Sequence, residues 1–208
     1  MRNSSNRTTH EDLPMNLLKW MPCFTSLLFR SGPAAATTAK KTHRSLDQMF
    51  YVAEVSNAEP LVGHLFRRRF ACDFFPQTPM HFVAFYKQQS GQPIPIGYVH
   101  CEAWRRQALG GGLVIDERAW RHIPATDRRC IRQHGGVAAL LLKAAISQVP
   151  SDTIGIWAYV GEPQAKKVDL EVGFEPTSHE HIMVIWRGNL DETEKAYWLE
   201  QVRSYGPF

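Results

Sequence analysis

No stretch of this chain is long and apolar enough to cross a bilayer. The longest charge-free run near the N-terminus, Trp20 to Phe29, is half of what a membrane helix needs, and later apolar runs are broken by Arg, Gly or Pro. Cysteine is scarce: Cys23, Cys72, Cys101 and Cys130 stand far apart with no CxxC pair. That spacing suits reduced, mostly buried thiols and a cytoplasmic setting, not a disulfide framework. Metal-ligand spacing is missing as well. His179 and His181 are two apart and would share one face of a strand, but no further ligands accompany them, so no metal is expected. The body also lacks excess charge of either sign. The net +4 of the 208 residues comes from residues 1–45, which carry seven basic and two acidic side chains, whereas residues 46–208 sum to −1. No nucleic-acid partner is expected from such a body.

What is present describes a globular domain with an appendage: 44% of the residues are apolar and 21% charged. Residues 1–12 are polar and aperiodic, and read as disordered. Residues 13–29 are apolar but interrupted by Lys19 and Pro22, which favours a short docking helix over a secretory signal cut near Ala34–Ala36. Residues 31–41 read as a linker, and folded structure should begin near Leu46. Thereafter strand and helix patterns alternate. Strands are expected at 48–55, 81–87, 94–104, 108–116, 153–160 and 181–186, with Pro95 delaying full pairing of the third until after Ile96. Helices are expected at 59–75, 136–149, 162–172 and 191–202. The helix at 136–149 is apolar on nearly every side and must pack on a sheet. One mixed, mostly antiparallel sheet flanked by helices follows from this order, an α/β fold of mixed α+β character.

The chemistry-bearing segment is Arg128 to Leu142, RRCIRQHGGVAALLL. Two glycines open the apolar helix, whose first amides have no intrahelical partner and carry the positive end of the helix dipole. A phosphate or pyrophosphate is the natural ligand there, since glycine lets its oxygens approach the backbone. The Lys-Ser/Thr ending of a nucleotide-hydrolase P-loop is absent, as is GxGxxG. Cys130 and His134 are i and i+4 and could pair as nucleophile and base only if the segment were helical.

Gln133-His-Gly-Gly136-Val-Ala138 matches the Q/R-x-x-G-x-G/A signature of acetyl-coenzyme A binding, and here the chain resembles the GCN5-related N-acetyltransferases (GNAT). The resemblance runs from about Gln48 to Trp186. It includes Ala165-Lys-Lys-Val-Asp-Leu-Glu-Val-Gly173-Phe174, which is similar to the family's helix-and-turn motif A-x-x-L-Y-x-x-x-G-F. It implies a GNAT acyl-CoA N-acyltransferase domain over 46–208, and N-acetyltransferase activity with acetyl-CoA as co-substrate and an amine as acceptor. A homodimer is left open. It also implies coenzyme A contacts at Leu113, Val114, Ile115, Arg128, Arg132, Gln133, His134, Gly135, Gly136, Val137, Ala138 and Ala165. Three departures from the pattern bear on catalysis. The family's proton-donating tyrosine falls on Asp169, a poor donor at neutral pH unless buried; its usual asparagine falls on Glu162; and the stretch from Asp116 to Gln133 is longer than usual. Glu102, Asp116 and Glu117 are the candidate bases and Tyr159 the candidate acid. The alternative function is a catalytically weak acyl-CoA sensor or interaction module on the same fold.

Overall fold

The computed structural model describes residues 44–78 and 80–208. The expected disordered arm, docking helix and linker lie outside these residues. In chain order the elements are α1 (Leu46–Met49), β1 (Phe50–Val55), α2 (Glu59–Phe70), β2 (Met80–Lys87), β3 (Pro93–Trp104), β4 (Gln107–Ile115), α3 (Glu117–His122), α4 (Ala125–Gln133), α5 (Gly136–Gln148), β5 (Gly155–Tyr159), α6 (Pro163–Val172), β6 (Glu175–Pro176), β7 (Ile182–Trp186) and α7 (Glu192–Tyr205). The strands form one seven-stranded sheet in the order β1-β2-β3-β4-β5-β7-β6, antiparallel throughout except for the β4–β5 pair.

Period-two alternation sorts the core onto the two faces of this sheet. Ala108, Ile156 and Met183 join the cluster beneath α5 and α6, with Leu141, Ala145 and Val168. Their neighbours Leu109, Trp157 and Val184 point the other way, to Val202 and Trp198 of α7. Val83, Tyr98 and Val114 share that second face with Leu65 and Phe66 of α2. The apolar α5 is therefore embedded against the sheet and the α6 helix, as its composition requires.

Several expected boundaries shift for local reasons. The first strand loses its opening residues to the helical turn α1. Helix α2 stops at Phe70, because Ala71 adopts the left-handed region at φ 49°. Pairing of β3 with β2 starts at Pro93, and a bulge at Ala84/Phe85 takes up the irregularity that Pro95 introduces. The Arg-rich stretch before the glycines is not a loop: it folds as α3 and α4, with Ile123 and Ile131 buried as anchors. His179 and His181 are not on a strand either. They sit in the turn between β6 and β7, and among the described residues no three His, Cys, Asp or Glu side chains group as a metal site. No helix of the described residues is long and apolar enough to cross a membrane.

The start of the described chain is clamped into this core. The Arg44 guanidinium contacts Asp127 of α4 at 3.3 Å and donates to the carbonyls of Gln48 and Lys87. Asp127 is 6% exposed and also accepts from the Tyr86 hydroxyl at 2.7 Å. Removing the cation leaves a buried carboxylate short of a partner, so Arg44→Met should cost about 2 kcal/mol, at the low end for a pair whose arginine is partly wet. Urea denaturation followed by tryptophan fluorescence measures this. Stability equal to the parent's would show the clamp to be idle.

Candidate active site

Strand β4 pairs with β5 only from Gln107 to Gly110, opposite Gly155 to Ala158. Beyond Gly110 it follows β3 alone. The cause is a bulge: Tyr98 faces Val114 but His100 faces Gly111, so β4 carries one extra residue there. Gly112 supplies the positive φ of 67° that the bulge requires. The sheet therefore splits, and the edge amides of residues 111–115 that face β5 are released from pairing.

A cavity of about 440 Å3 occupies the split, bounded by Gly110–Leu113, the end of β5 with Tyr159, and Ala165 and Asp169 of α6. It continues past Arg69, Leu113, Glu162 and Ala165 into a second cavity of about 760 Å3. That one is lined by Arg68, Arg69, Arg118 and Arg121 and by Val114, Ile115 and Ala138. On the other side it meets a third, of about 560 Å3, at Phe70, Gly112 and Phe208. A long ligand with a polyanionic end, a thin middle and a reactive tip fits this series: arginines for the charge, strand amides for the middle, and a junction of two cavities for the tip.

The helix that the glycine pair opens reaches the arginine-lined cavity through Ala138; Gly135 and Gly136 themselves do not line it. Gly135 caps α5 at φ 99° and Gly136 follows at φ 83°, conformations that L side chains rarely adopt. A Cβ on Gly136 would meet open space within 4 Å, so a phosphate can come close to the backbone. Val137 is buried, whereas Gln133 and His134 are exposed. The His134 ring lies 2.8 Å from the Cys130 carbonyl, not its thiol, so the two do not form a nucleophile–base pair. Arg132 lies over the Trp120 ring at 5.5 Å, and Arg128 Nε is buried with no hydrogen-bond partner.

The four candidate catalytic groups fall in different places. Tyr159 lines the split cavity and Glu102 the third one, where it accepts a 3.0 Å hydrogen bond from the Tyr205 hydroxyl. Asp116 is occupied: its Oδ1 caps α3 by accepting from the amides of Arg118 and Ala119. Glu117 is exposed at the arginine-lined cavity and pairs with Arg121. Asp169 is 4% exposed in the wall of the split cavity, and burial pushes its carboxyl up to about 6. Its protonated form is therefore populated up to about pH 6. Glu162 is the N-cap of α6 and pairs with Arg69 across the cleft mouth.

Sequence reasoning passes over His100. It lies on β3 between Tyr98 and Glu102 on one strand face, 9% exposed, with Nδ1 buried and unpartnered. The glycines opposite make room for it: a Cβ on Gly112 would come within 2.7 Å of Nδ1. Burial, with a smaller push from nearby His81, lowers its imidazole to about 4, so the ring is neutral at pH 7. The one available signal is a polar alternation, His100-x-Glu102, opposite three consecutive glycines.

Element order, mixed sheet and the parting of β4 from β5 make this the fold of the GCN5-related N-acetyltransferases that the sequence resembles. No family model and no curated protein sequence matches the chain. Solved structures are similar to it at a distance. The ribosomal-protein-S18-alanine N-acetyltransferase from Escherichia coli is 13% identical at a TM-score of 0.44, over 69% of this chain and 97% of its own. FdhC, a nucleotide-linked sugar GNAT, is 13% identical at 0.42, over 77% and 94%. The PaiA N-acetyltransferase from Thermoplasma acidophilum, in complex with coenzyme A, is 16% identical at 0.34, over 62% and 70%. Likeness at this level says nothing of substrate.

Proposed function

We propose that residues 46–208 form an acyl-CoA-dependent N-acyltransferase domain that moves an acetyl group from acetyl-CoA to a primary amine, with residues 1–45 as an appended arm. The observation that carries this reading is the continuous series of cavities through the split sheet, from the arginines facing Ala138 of α5 to the junction at Gly112. Coenzyme A would lie along it with its pyrophosphate on the amides from His134 to Ala138. Arg68, Arg69, Arg118 and Arg121 would face the remaining phosphate, and the pantetheine arm would run past Leu113, Val114, Ile115 and Ala165.

Chemistry then follows from position. The amine attacks only as the neutral species, so its proton must first pass to a base or to water. Glu102 is the candidate base nearest the junction. The amine nitrogen forms the new bond to the thioester carbonyl carbon, and the oxyanion that develops is met by an unpaired amide of residues 111–115. The carbon–sulfur bond breaks, and the departing thiolate takes a proton from Tyr159, from Asp169 in its protonated form, or from water. Asp169 in place of the family's tyrosine is what favours the second reading, a weak acyl-CoA sensor. Its burial removes much of that support.

The test is turnover of acetyl-CoA by the full chain against a panel of amines, with acetyl-CoA binding measured by calorimetry. Glu102→Gln should lower turnover by about tenfold or more, and Glu117→Gln by less than about threefold. Binding of acetyl-CoA without turnover of any amine would favour the sensor. Loss of activity in Glu117→Gln alone would reassign the base.

A further inference from the structure

The third cavity lies between α2, β3 and α7 on the sheet face opposite α5. Phe66, Phe70, Phe74 and Leu109 wall it, and Tyr205 stands across it from α7. Such walls gain from shedding water only against an apolar guest. Gln77, Thr78, His100, Glu102 and Tyr205 bring polar groups to the lining, and two of these are unsatisfied: Thr78 Oγ1 and His100 Nδ1 are buried with no hydrogen-bond partner. A buried polar atom left unpaired keeps the whole cost of its lost hydration, a penalty that a guest offering a hydrogen bond removes. Glu102 is the one carboxylate side chain in the lining among the described residues.

The Glu102 carboxylate can answer one cation. A polyamine would bring a second ammonium against phenylalanines, away from the Glu102 carboxylate. A peptide segment would bring a row of backbone amides to a wall that is largely phenylalanine, where most would stay unpaired. A single amine on an apolar body meets neither obstacle.

We propose that this cavity is the acyl-acceptor site, that it takes a primary amine carried on an aryl or alkyl group, and that the buried imidazole of His100 hydrogen-bonds the amine nitrogen beside Gly112. The assignment rests on the acyltransferase reading above, because contact with the split cavity at Phe70, Gly112 and Phe208 is what sets such a nitrogen beside a thioester. A neutral ring can accept an N–H and leave the nitrogen lone pair free for attack. Glu102, two residues along the same strand face, is placed to take the proton that the incoming ammonium must lose.

Turnover with 2-phenylethylamine and hexylamine should exceed that with spermidine or a lysine peptide by at least about tenfold in kcat/KM. His100→Leu should lower kcat with 2-phenylethylamine by about tenfold or more while acetyl-CoA affinity holds, and His100→Asn, whose amide can replace Nδ1, should recover part of it. A preference for spermidine or the peptide overturns the proposal, as does undiminished turnover in His100→Leu. Calorimetric binding of 2-phenylethylamine alone gives a readout independent of the cofactor. If acetyl-CoA fails to bind, the acyltransferase reading falls. Amine binding that weakens in Phe74→Ser, a change at an exposed wall position, still supports the apolar-amine site, and no amine binding at all overturns it.

Discussion

Coenzyme A is expected to bind the Gly136→Asp variant at least about a hundredfold more weakly than the parent, roughly 2.7 kcal/mol. Two effects combine in that change. The aspartate side chain fills space that is open beside the backbone of Gly136, and its charge repels the phosphates that the first amides of α5 and the nearby arginines would hold. Position 136 also sits at φ 83°, where any L residue is strained, so the asparagine variant is the necessary partner. Asn tolerates the left-handed region nearly as well as any non-glycine residue and has Asp's shape without its charge. Gly136→Asn should therefore lose clearly less affinity, and calorimetry of the two, with melting curves to confirm the fold, isolates the electrostatic part. Equal losses would mean that shape alone matters there. Parental affinity in Gly136→Asp would place the pyrophosphate elsewhere.

Asp169→Asn is expected to stabilise the folded chain above pH 6. Burial raises this carboxyl from 3.8 to about 6 in the folded state. A raised carboxyl pKa means that the fold favours the protonated form, so ionisation destabilises it. The destabilisation is absent below about pH 3.8, accumulates as pH climbs to 6, and is fully present above that. A shift of this size is worth about 2–3 kcal/mol, and the neutral amide avoids it. Urea denaturation at pH 8 should show the variant more stable by that amount, with the difference shrinking towards pH 4. A constant difference across that range would show that Asp169 is not titrating. Turnover should change by less than about tenfold, because the thiol of coenzyme A, with a pKa near that of free cysteine at about 8.5, is a fair leaving group without help. If turnover is abolished while acetyl-CoA still binds, Asp169 is itself catalytic.

Alternation of apolar residues makes the strands legible in the sequence, and the unbroken apolar surface of α5 announces a helix packed on a sheet. The insert from Asp116 to Gln133 is illegible because its helices each bury little. Ile123 and Ile131 are 2% and 0% exposed, but they are isolated anchors in short segments dominated by arginine. The end of α2 is hidden because Ala71, and no glycine, takes the left-handed cap.

The glycine pair can be read directly, since a ligand-facing helix start is a local property of a few consecutive residues. The acceptor cavity cannot. Its walls come from α2, the segment after it, β3, β4 and α7, and nothing in any one of those segments reveals the others. The resemblance puts Asp169 in the tyrosine's place but leaves its burial open, and only the packing of α6 over the split sheet settles that it is buried.

The ladder between Gln107–Gly110 and Gly155–Ala158 is the only strand pairing among the described residues that joins β1–β4 to β5–β7. It sits at one end of the cleft, and the Trp157 indole reinforces it by donating to Gln107 across the junction at 2.7 Å. The two half-sheets are thus built like a pair of jaws on a short pivot. Any opening at the mouth would turn about those four rungs without breaking another strand pairing. The Arg69–Glu162 pair spans the far side, where a small angle at the pivot would give the largest displacement, so exposed charges stand where a catch would be and the buried indole where the pin would be.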